Sequence, residues 1–597
     1  MRISGSRIAV PFITCVLCAP ISAQVTQRAS LDSSGAQGDD SSAHASISDD
    51  ARFVAFFSAA TNLVPGDTNA AVDLFLRDRQ TGLTSRESVS SAGVQANDRS
   101  FYGRISADGR SVVFISAANN LVPGDTQGMI DVFVRDLSSG QTTRVSVSSA
   151  GIQGNSDSTQ PFISADGRYV VFTSDSDNLA PGDTNGQPDV FVRDRSTGQT
   201  SIVSVDSAGA QSNAASVEPS ISADGRFVWF VSVATNLVAG DTNAAWDIFL
   251  RDRQTNQTTL VSVDSSGVQG DGNSDYPSLS ADGRLMAFES WATNLVAGDT
   301  NSTQDIFVHD FQSGLTSRVS VDSAGGEAND FNYHPSISAD GRYVAFASVA
   351  TNLVPGDTNA NPDIFVHDLQ TGRTERVNVD LGGGQANHDS EYASISSAGR
   401  CVTFDSRATN LVQGDTNGCL DVFVADRNVT GFSSLCDPGA GGVAACPCSN
   451  PPSGSGRGCD NSAATGGAAL AAAGMAYLSM DSLLFTTTGE RATAFSILMQ
   501  GNALLTNGVV YGQGVRCVGG AIKRLFAKSA VAGSITAPDF GVGDATVSAQ
   551  SAAKGDVIQP GQSRWYLVYY RDPIVLGGCS ASSTFNATQT GQVTWSP

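Results

Sequence analysis

The sequence predicts an all-β protein: a seven-bladed β-propeller closed by its own N-terminal strand, followed by a small disulfide-containing β-sandwich. Three observations carry this expectation. A 58-residue period runs through most of the chain without insertion or deletion. Each period holds four short strand signals separated by turn residues. Where the period ends, the composition shifts to Gly, Pro, Ser and Cys before further short strand signals appear.

The period is marked by the Asp of Ser-Ala-Asp-Gly-Arg at Asp108, Asp166, Asp224, Asp282 and Asp340, each 58 residues apart. One step back lies Asp50 and one step forward Ala398, in degenerate copies. Gly-Asp-Thr keeps the same spacing at Asp67, Asp125, Asp183, Asp241, Asp299, Asp357 and Asp415. Seven copies fill residues 24–430. In the sixth, the strand signals are Pro335–Ser338, Tyr343–Ser348, Asp363–Asp368 and Thr374–Asp380, rich in β-branched and aromatic residues. Ala-Asp-Gly-Arg makes a tight hairpin between the first two, where Gly tolerates positive φ. Gln-Thr-Gly turns the chain between the last two. A solenoid is the alternative, but it uses shorter repeats and needs capping units. Thr26 to Gly35 matches Thr142 to Gly151, a fourth strand, while the seventh copy fades after its third strand, Asp421–Asp426. The chain therefore starts with an orphan fourth strand and ends lacking one. Pairing the two removes two exposed sheet edges.

Ile-Ser-Ala-Asp-Gly-Arg-Tyr-Val-Ala-Phe followed by Asp-Ile-Phe-Val-His-Asp resembles the TolB-type, WD40-like (PD40) propeller repeat over about 400 residues. The resemblance implies the fold and leaves function open, since such propellers bind proteins or sugars and some are enzymes.

The first residues read as an export signal. Arg2 and Arg7, an apolar run from Ile8 to Cys18 and the small residues before Gln24 read as a signal peptide over residues 1–23. The expected location is therefore exported: secreted, periplasmic or cell surface. Cys15 and Cys18 leave with the signal. The other eight cysteines (Cys401, Cys419, Cys436, Cys446, Cys448, Cys459, Cys517 and Cys579) are disulfide candidates in an oxidising compartment. Cys401 and Cys419 are expected to staple the seventh blade. Residues 431–460 form a Cys/Gly/Pro-rich linker, and residues 461–597 carry strand signals at Leu483–Thr487, Ala494–Gln500, Val509–Tyr511, Trp565–Tyr570 and Gln592–Trp595. Gly514 to Gly520, Tyr569 to Asp572 and Phe585 to Thr588 resemble a C-terminal module of secreted planctomycete-type proteins.

Charge narrows the partners. Lys and Arg number 35 against 58 Asp and Glu, a net of −23, which disfavours nucleic acid and anionic membranes. Residues 24–430 hold 50 acidic and 24 basic residues, so the excess lies in the repeats. No run of 18 apolar residues follows the signal, so no membrane span is expected.

Two kinds of position share the face formed by the second-to-third and fourth-to-first connections. Invariant loop residues read Asp, Asn and Asp at the first, third and seventh places: Asp67, Asn69 and Asp73; Asp183, Asn185 and Asp189; Asp241, Asn243 and Asp247; Asp299, Asn301 and Asp305; Asp357, Asn359 and Asp363; Asp415, Asn417 and Asp421. Oxygen ligands at that spacing suit calcium, although the Gly of an EF-hand loop is missing. The competing reading is a turn capped by Asp and Asn. The Gln-x-Asn of the next loop (Gln95/Asn97, Gln153/Asn155, Gln385/Asn387) completes or braces either arrangement. Variable positions read His44, Tyr102, Gln160, Glu218, Tyr276, His334 and Tyr392 before the first strand, a series expected at the channel mouth. Trp246, Tyr276, Trp291 and His334, from copies four to six, are the candidate ligand-binding residues, because flat aromatic faces suit sugars or partner side chains. His309 and His367 replace Arg77, Arg135, Arg193 and Arg251 and are expected to substitute for them on a sheet surface.

No catalytic residues are assigned, because no His-Glu-x-x-His, Gly-x-Ser-x-Gly or phosphate loop occurs. The expected function is a non-enzymatic binding or scaffold protein, calcium-stabilised or not, whose partner is an extracellular or cell-surface protein or glycan. The alternative is an extracellular polysaccharide hydrolase or lyase built on the same fold.

Overall fold

The computed structural model describes residues 25–595 apart from residues 381–382, 428–432, 437, 440–442, 449, 454–456, 474–475, 477–480, 482, 540–541, 560–561 and 573–583. The signal-peptide reading and Cys579 lie outside the described residues.

Seven four-stranded antiparallel sheets follow one another along the repeats. Six are built from four consecutive strands, as in Asn332–Ile337, Tyr343–Ser348, Asp363–Asp368 and Arg373–Arg376. The seventh takes three strands from the last copy and its outer strand from Val25–Arg28, which pairs with Asp426 to Phe423. First strands of successive copies touch one another, and Ser42–Ile47 touches Ser390–Ile395, so the series closes into a ring. This is a β-propeller.

The second and third strands form the body of each sheet. In Tyr343–Ser348 every residue is buried, and it pairs without a break from Tyr343↔Asp368 to Ser348↔Asp363. Burial on both faces explains why these strands read as apolar runs rather than alternating ones. Each core cluster joins two neighbouring sheets. The one between the first and last copies contains Val54, Phe56 and Phe75 with Cys401, Val422 and Val424, all buried.

The first strand differs from expectation. It starts three residues earlier than its sequence signal, at Asn332 rather than Pro335, and carries a bulge between Tyr333 and Ser336. Pro335 has no N–H to give a ladder, so the bulge accommodates it. The same bulge recurs in all seven copies.

On the Asp-Gly side, six copies close with a two-point pair between the turn Arg and the Asp ending the third strand, as in Arg168–Asp194 (3.0 and 2.8 Å). Tyr169 lies between Arg168 and Arg253, at 4.7 and 4.6 Å.

After the repeats, a six-stranded sheet contains Phe495–Gly501, Lys523–Ser529 and Ser563–Arg571, and a three-stranded sheet contains Ala469–Ala473 and Leu484–Thr488. Leu470 and Phe485 share a buried core with Leu498, Tyr566, Tyr570 and Trp595. One seven-residue helix, Val547–Ala553, was not anticipated; Thr546 caps it by accepting from Ala549 N. Among the described residues no helix is long and apolar enough to cross a membrane.

Cys446 and Cys459 form a disulfide, and Cys448 and Cys517 are disulfide-bonded as well. The side chain of Cys436 lies outside the described residues. The expected staple in the last blade is corrected: Cys401 and Cys419 are both free. Cys401 opens the second strand opposite Asp426, whereas Cys419 sits in the loop before Asp421 at the other end of the ladder. A six-residue strand separates those ends by about 17–20 Å, beyond the ~7 Å Cα limit of a disulfide.

Candidate functional site: the axial ring and its loop face

The bulge places the variable series inside the first strand, facing its counterparts from other copies. His44, Tyr102, Gln160, Glu218, Tyr276, His334 and Tyr392 all adopt φ between 49° and 54°. Left-handed backbone costs a non-glycine residue roughly 1–2 kcal/mol, so seven in register require strong support. Part of it comes from side chains that capture the bulge amides. Asp405 Oδ2 accepts from His44 N and Glu289 Oε2 from His334 N, both at 2.7 Å. Gln160 Oε1 accepts from Glu218 N (3.1 Å) and Glu218 Oε2 from Tyr276 N (3.2 Å).

The rings then pack in sequence. Tyr276 meets His334 edge-on at 4.8 Å, His334 stacks on Tyr392 at 4.3 Å, Tyr392 lies 3.8 Å from His44, and His44 meets Tyr102 at 4.9 Å. Gln160 and Glu218 occupy the same register in copies three and four. Tyr102 and Tyr276 remain 46% and 44% exposed, presenting their rings to solvent.

The electrostatics follow from burial. Desolvation pushes Glu218 up to about 7, Glu289 up to about 8 and Asp275 up to about 6. It holds Asp405 well above the carboxylate range and lowers His44 and His334 to about 4. Arg104 stays exposed to solvent and stacks 3.9 Å over Phe162. The carboxyls of Glu218, Glu289 and Asp405 brace backbone amides, a positioning role.

The four candidate ligand residues lie on the same side of the ring, but they divide into three settings. Tyr276 and His334 belong to the axial ring. Trp291, 44% exposed, meets Phe331 edge-on at 5.5 Å farther from the axis. Trp246 is half-buried between sheets, packed against the core cluster that contains Val231 and Ile248. Sequence reading missed Glu289, Asp405 and Arg104. A signal existed: the register of Glu289 and Asp405 otherwise holds Phe57, Ile115, Thr173, Val231 and Ala347, so acids stand out there.

In the loops the asparagines cap turns. Asn69 Oδ1 accepts from Ala71 N at 3.0 Å, and its amide donates to Asp73 Oδ2 (3.1 Å) and Ala96 O (2.9 Å). The two aspartates are bridged by an amide from the next loop: Gln95 Nε2 donates to Asp67 (2.8 Å) and Asp73 (3.1 Å). In five copies a guanidinium joins them. Arg28, Arg86, Arg144, Arg318 and Arg376 each pair with both aspartates of a loop, as Arg144 does with Asp125 (3.3 Å) and Asp131 (3.0 Å). Copies three and four carry Ile202 and Leu260 instead, and there Gln211 and Gln269 bridge the pairs at 2.7–2.8 Å.

His309 and His367 bind Thr316 and Thr374 (2.9 and 2.8 Å), as Arg77 binds Thr84 (3.0 Å). They replace arginine as expected, but buried between sheets rather than on a surface.

No protein-family model and no curated protein matches the chain. Several solved propellers resemble it. An oligogalacturonate lyase in complex with manganese is 14% identical, covers 68% of this chain and 96% of its own, with a TM-score of 0.42. TolB from Acinetobacter baumannii is 17% identical over 60% and 76%, with a TM-score of 0.32. The β-propeller domain of the trilobed protease from Pyrococcus furiosus is 9% identical over 64% and 95%, with a TM-score of 0.40.

Proposed function

We propose that the chain is an exported, non-enzymatic binding platform: a seven-bladed propeller closed by its N-terminal strand and followed by a small β-sandwich module. Its partner is an extracellular or cell-surface protein or glycan that docks on the axial ring. One observation carries this reading. Seven non-glycine residues are held at positive φ in a closed series, which sets Tyr102 and Tyr276 half-exposed around the axis. Strained backbone of this kind concentrates at binding sites, and flat aromatic faces suit both sugar rings and protein side chains. Trp291 and Phe331 extend the same face outward.

The test is capture from a cell-surface fraction and from a glycan array by the full chain, comparing wild type with Tyr102→Asn/Tyr276→Asn. Asparagine accepts left-handed φ, so the variant removes the rings and keeps the bulges. Loss of capture is expected; undiminished capture overturns the proposal. A Trp291→Ala arm reads how far the site extends.

A further inference from the structure

The fifth repeat breaks the arrangement that bridges the paired aspartates in five of the other loops. Six copies place Gln at the bridging register: Gln37, Gln95, Gln153, Gln211, Gln269 and Gln385. In the first five of these, the amide nitrogen donates to both loop aspartates, at 2.7–3.3 Å. The fifth loop meets Glu327 instead, which removes two donors and adds a charge.

The consequence is visible in the side chains. One carboxylate oxygen from each of Asp299, Asp305 and Glu327 lies within 4.8 Å of the other two, and this is the single such group among the described residues. Asp299 and Asp305 side chains are 3% and 0% exposed. Arg318 is the cation paired with them. It reaches Glu327 at 2.5 Å and Asp305 at 3.2 Å, but its nitrogen stays 3.7 Å from Asp299 Oδ1. That oxygen is buried and has no hydrogen-bond partner. The sixth repeat also leaves Asp357 Oδ1 unpartnered, but there the neutral Gln385, whose Oε1 accepts from Arg376 and Thr358 N, adds no third carboxylate.

Three carboxylates against one guanidinium leave two negative charges in a site walled by protein. A buried carboxylate without a partner is costly, and one divalent cation neutralises the excess. Burial, reinforced by Asp305, already pushes Asp299 up to about 6. All three ligands are carboxylate oxygens, the donor set of hard cations. Asn301 is outside the set, because its Oδ1 accepts from Thr303 N at 2.9 Å and its amide faces Asp305.

We propose that Asp299, Asp305 and Glu327 bind a hard divalent cation, Ca²⁺ or Mg²⁺, in the fifth repeat alone. The reading of six alike loops thereby contracts to one site with a different ligand set.

The test uses full-length protein stripped with EDTA and titrated calorimetrically with CaCl₂ and, separately, MgCl₂. Glu327→Gln restores the sister residue, and its melting temperature without metal verifies folding. Wild type is expected to bind one more equivalent than Glu327→Gln, or to bind that equivalent about tenfold or more tightly. The ion should also raise the wild-type melting temperature, since a ligand of the folded state stabilises it. Failure of wild type to bind either ion at millimolar concentration, or identical isotherms for the two proteins, overturns the proposal. The two titration arms identify the preferred ion.

Discussion

Replacing Arg28 with Leu tests the seam at which the ring closes. Arg28 lies 2.9 Å from Asp415 and 3.4 Å from Asp421, with side-chain exposures of 6%, 4% and 0%. Removing one partner of a buried ion pair costs about 3–5 kcal/mol. The lower end applies, because Gln37 still donates to both aspartates (2.9 and 3.2 Å). Leu260 already occupies this register in the fourth copy. A ring of about 400 residues loses roughly 0.8 kcal/mol per degree at its midpoint, so a 3 kcal/mol penalty lowers Tm by about 4 °C. Calorimetry at pH 7 reads it. Burial already raises Asp421, and loss of the guanidinium raises it further. A carboxyl raised in the folded state costs stability above its unfolded pKa and nothing below it, so the penalty must shrink toward pH 4. An unchanged Tm at pH 7, or a penalty as large in acid, would refute the assignment of Arg28 to the seam.

The axial carboxyls set a pH profile. Glu289 and Glu218, held at about 8 and about 7, give stability that is complete below their unfolded pKa and lost as pH rises through those values. Melting temperature should therefore fall as pH rises from about 4.5 to about 8 and level off above that, and Glu289→Gln should flatten the fall; an unaltered slope contradicts this. Gly225→Ala should cost about 2–4 kcal/mol, since φ is +73° and the new Cβ meets Tyr169 at 2.1 Å. Gly240→Ala, at φ +95° with open space, pays only the backbone cost, and equal losses would exclude the clash. Thiol labelling of the native protein should modify Cys419 and spare Cys401, which is fully buried with a raised pKa. Labelling of Cys401 before unfolding would contradict the packing of the closing blade.

The second and third strands were legible to the residue, because each is an apolar run fixed by Asp at known register. The first strand was not. Its bulge interrupts the two-residue alternation, so His334 read as the approach to a strand and Pro335 as its start, although both lie in its middle. The axial series was visible as variation within a strict repeat, but its φ values and packing were not, because they depend on contacts between copies. The Asp-x-Asn-x-x-x-Asp loops looked alike in sequence. What distinguishes them is the neighbouring strand and the next loop, where Arg318 replaces Leu260 and Glu327 replaces Gln269. Cys401 and Cys419 seemed pairable by count and proximity in sequence; only the ladder shows that they lie at opposite ends of a sheet.

The most direct test of the central claim is a hydrogen–deuterium exchange footprint of the full chain with and without its captured partner. Binding on the axial ring predicts slowed exchange at the first-strand bulges around His44, Tyr102, Tyr276, His334 and Tyr392, and at Trp291. Protection confined to the Asp-Gly turns at Asp108, Asp166, Asp224, Asp282 and Asp340 would place the partner on the opposite side and contradict the account.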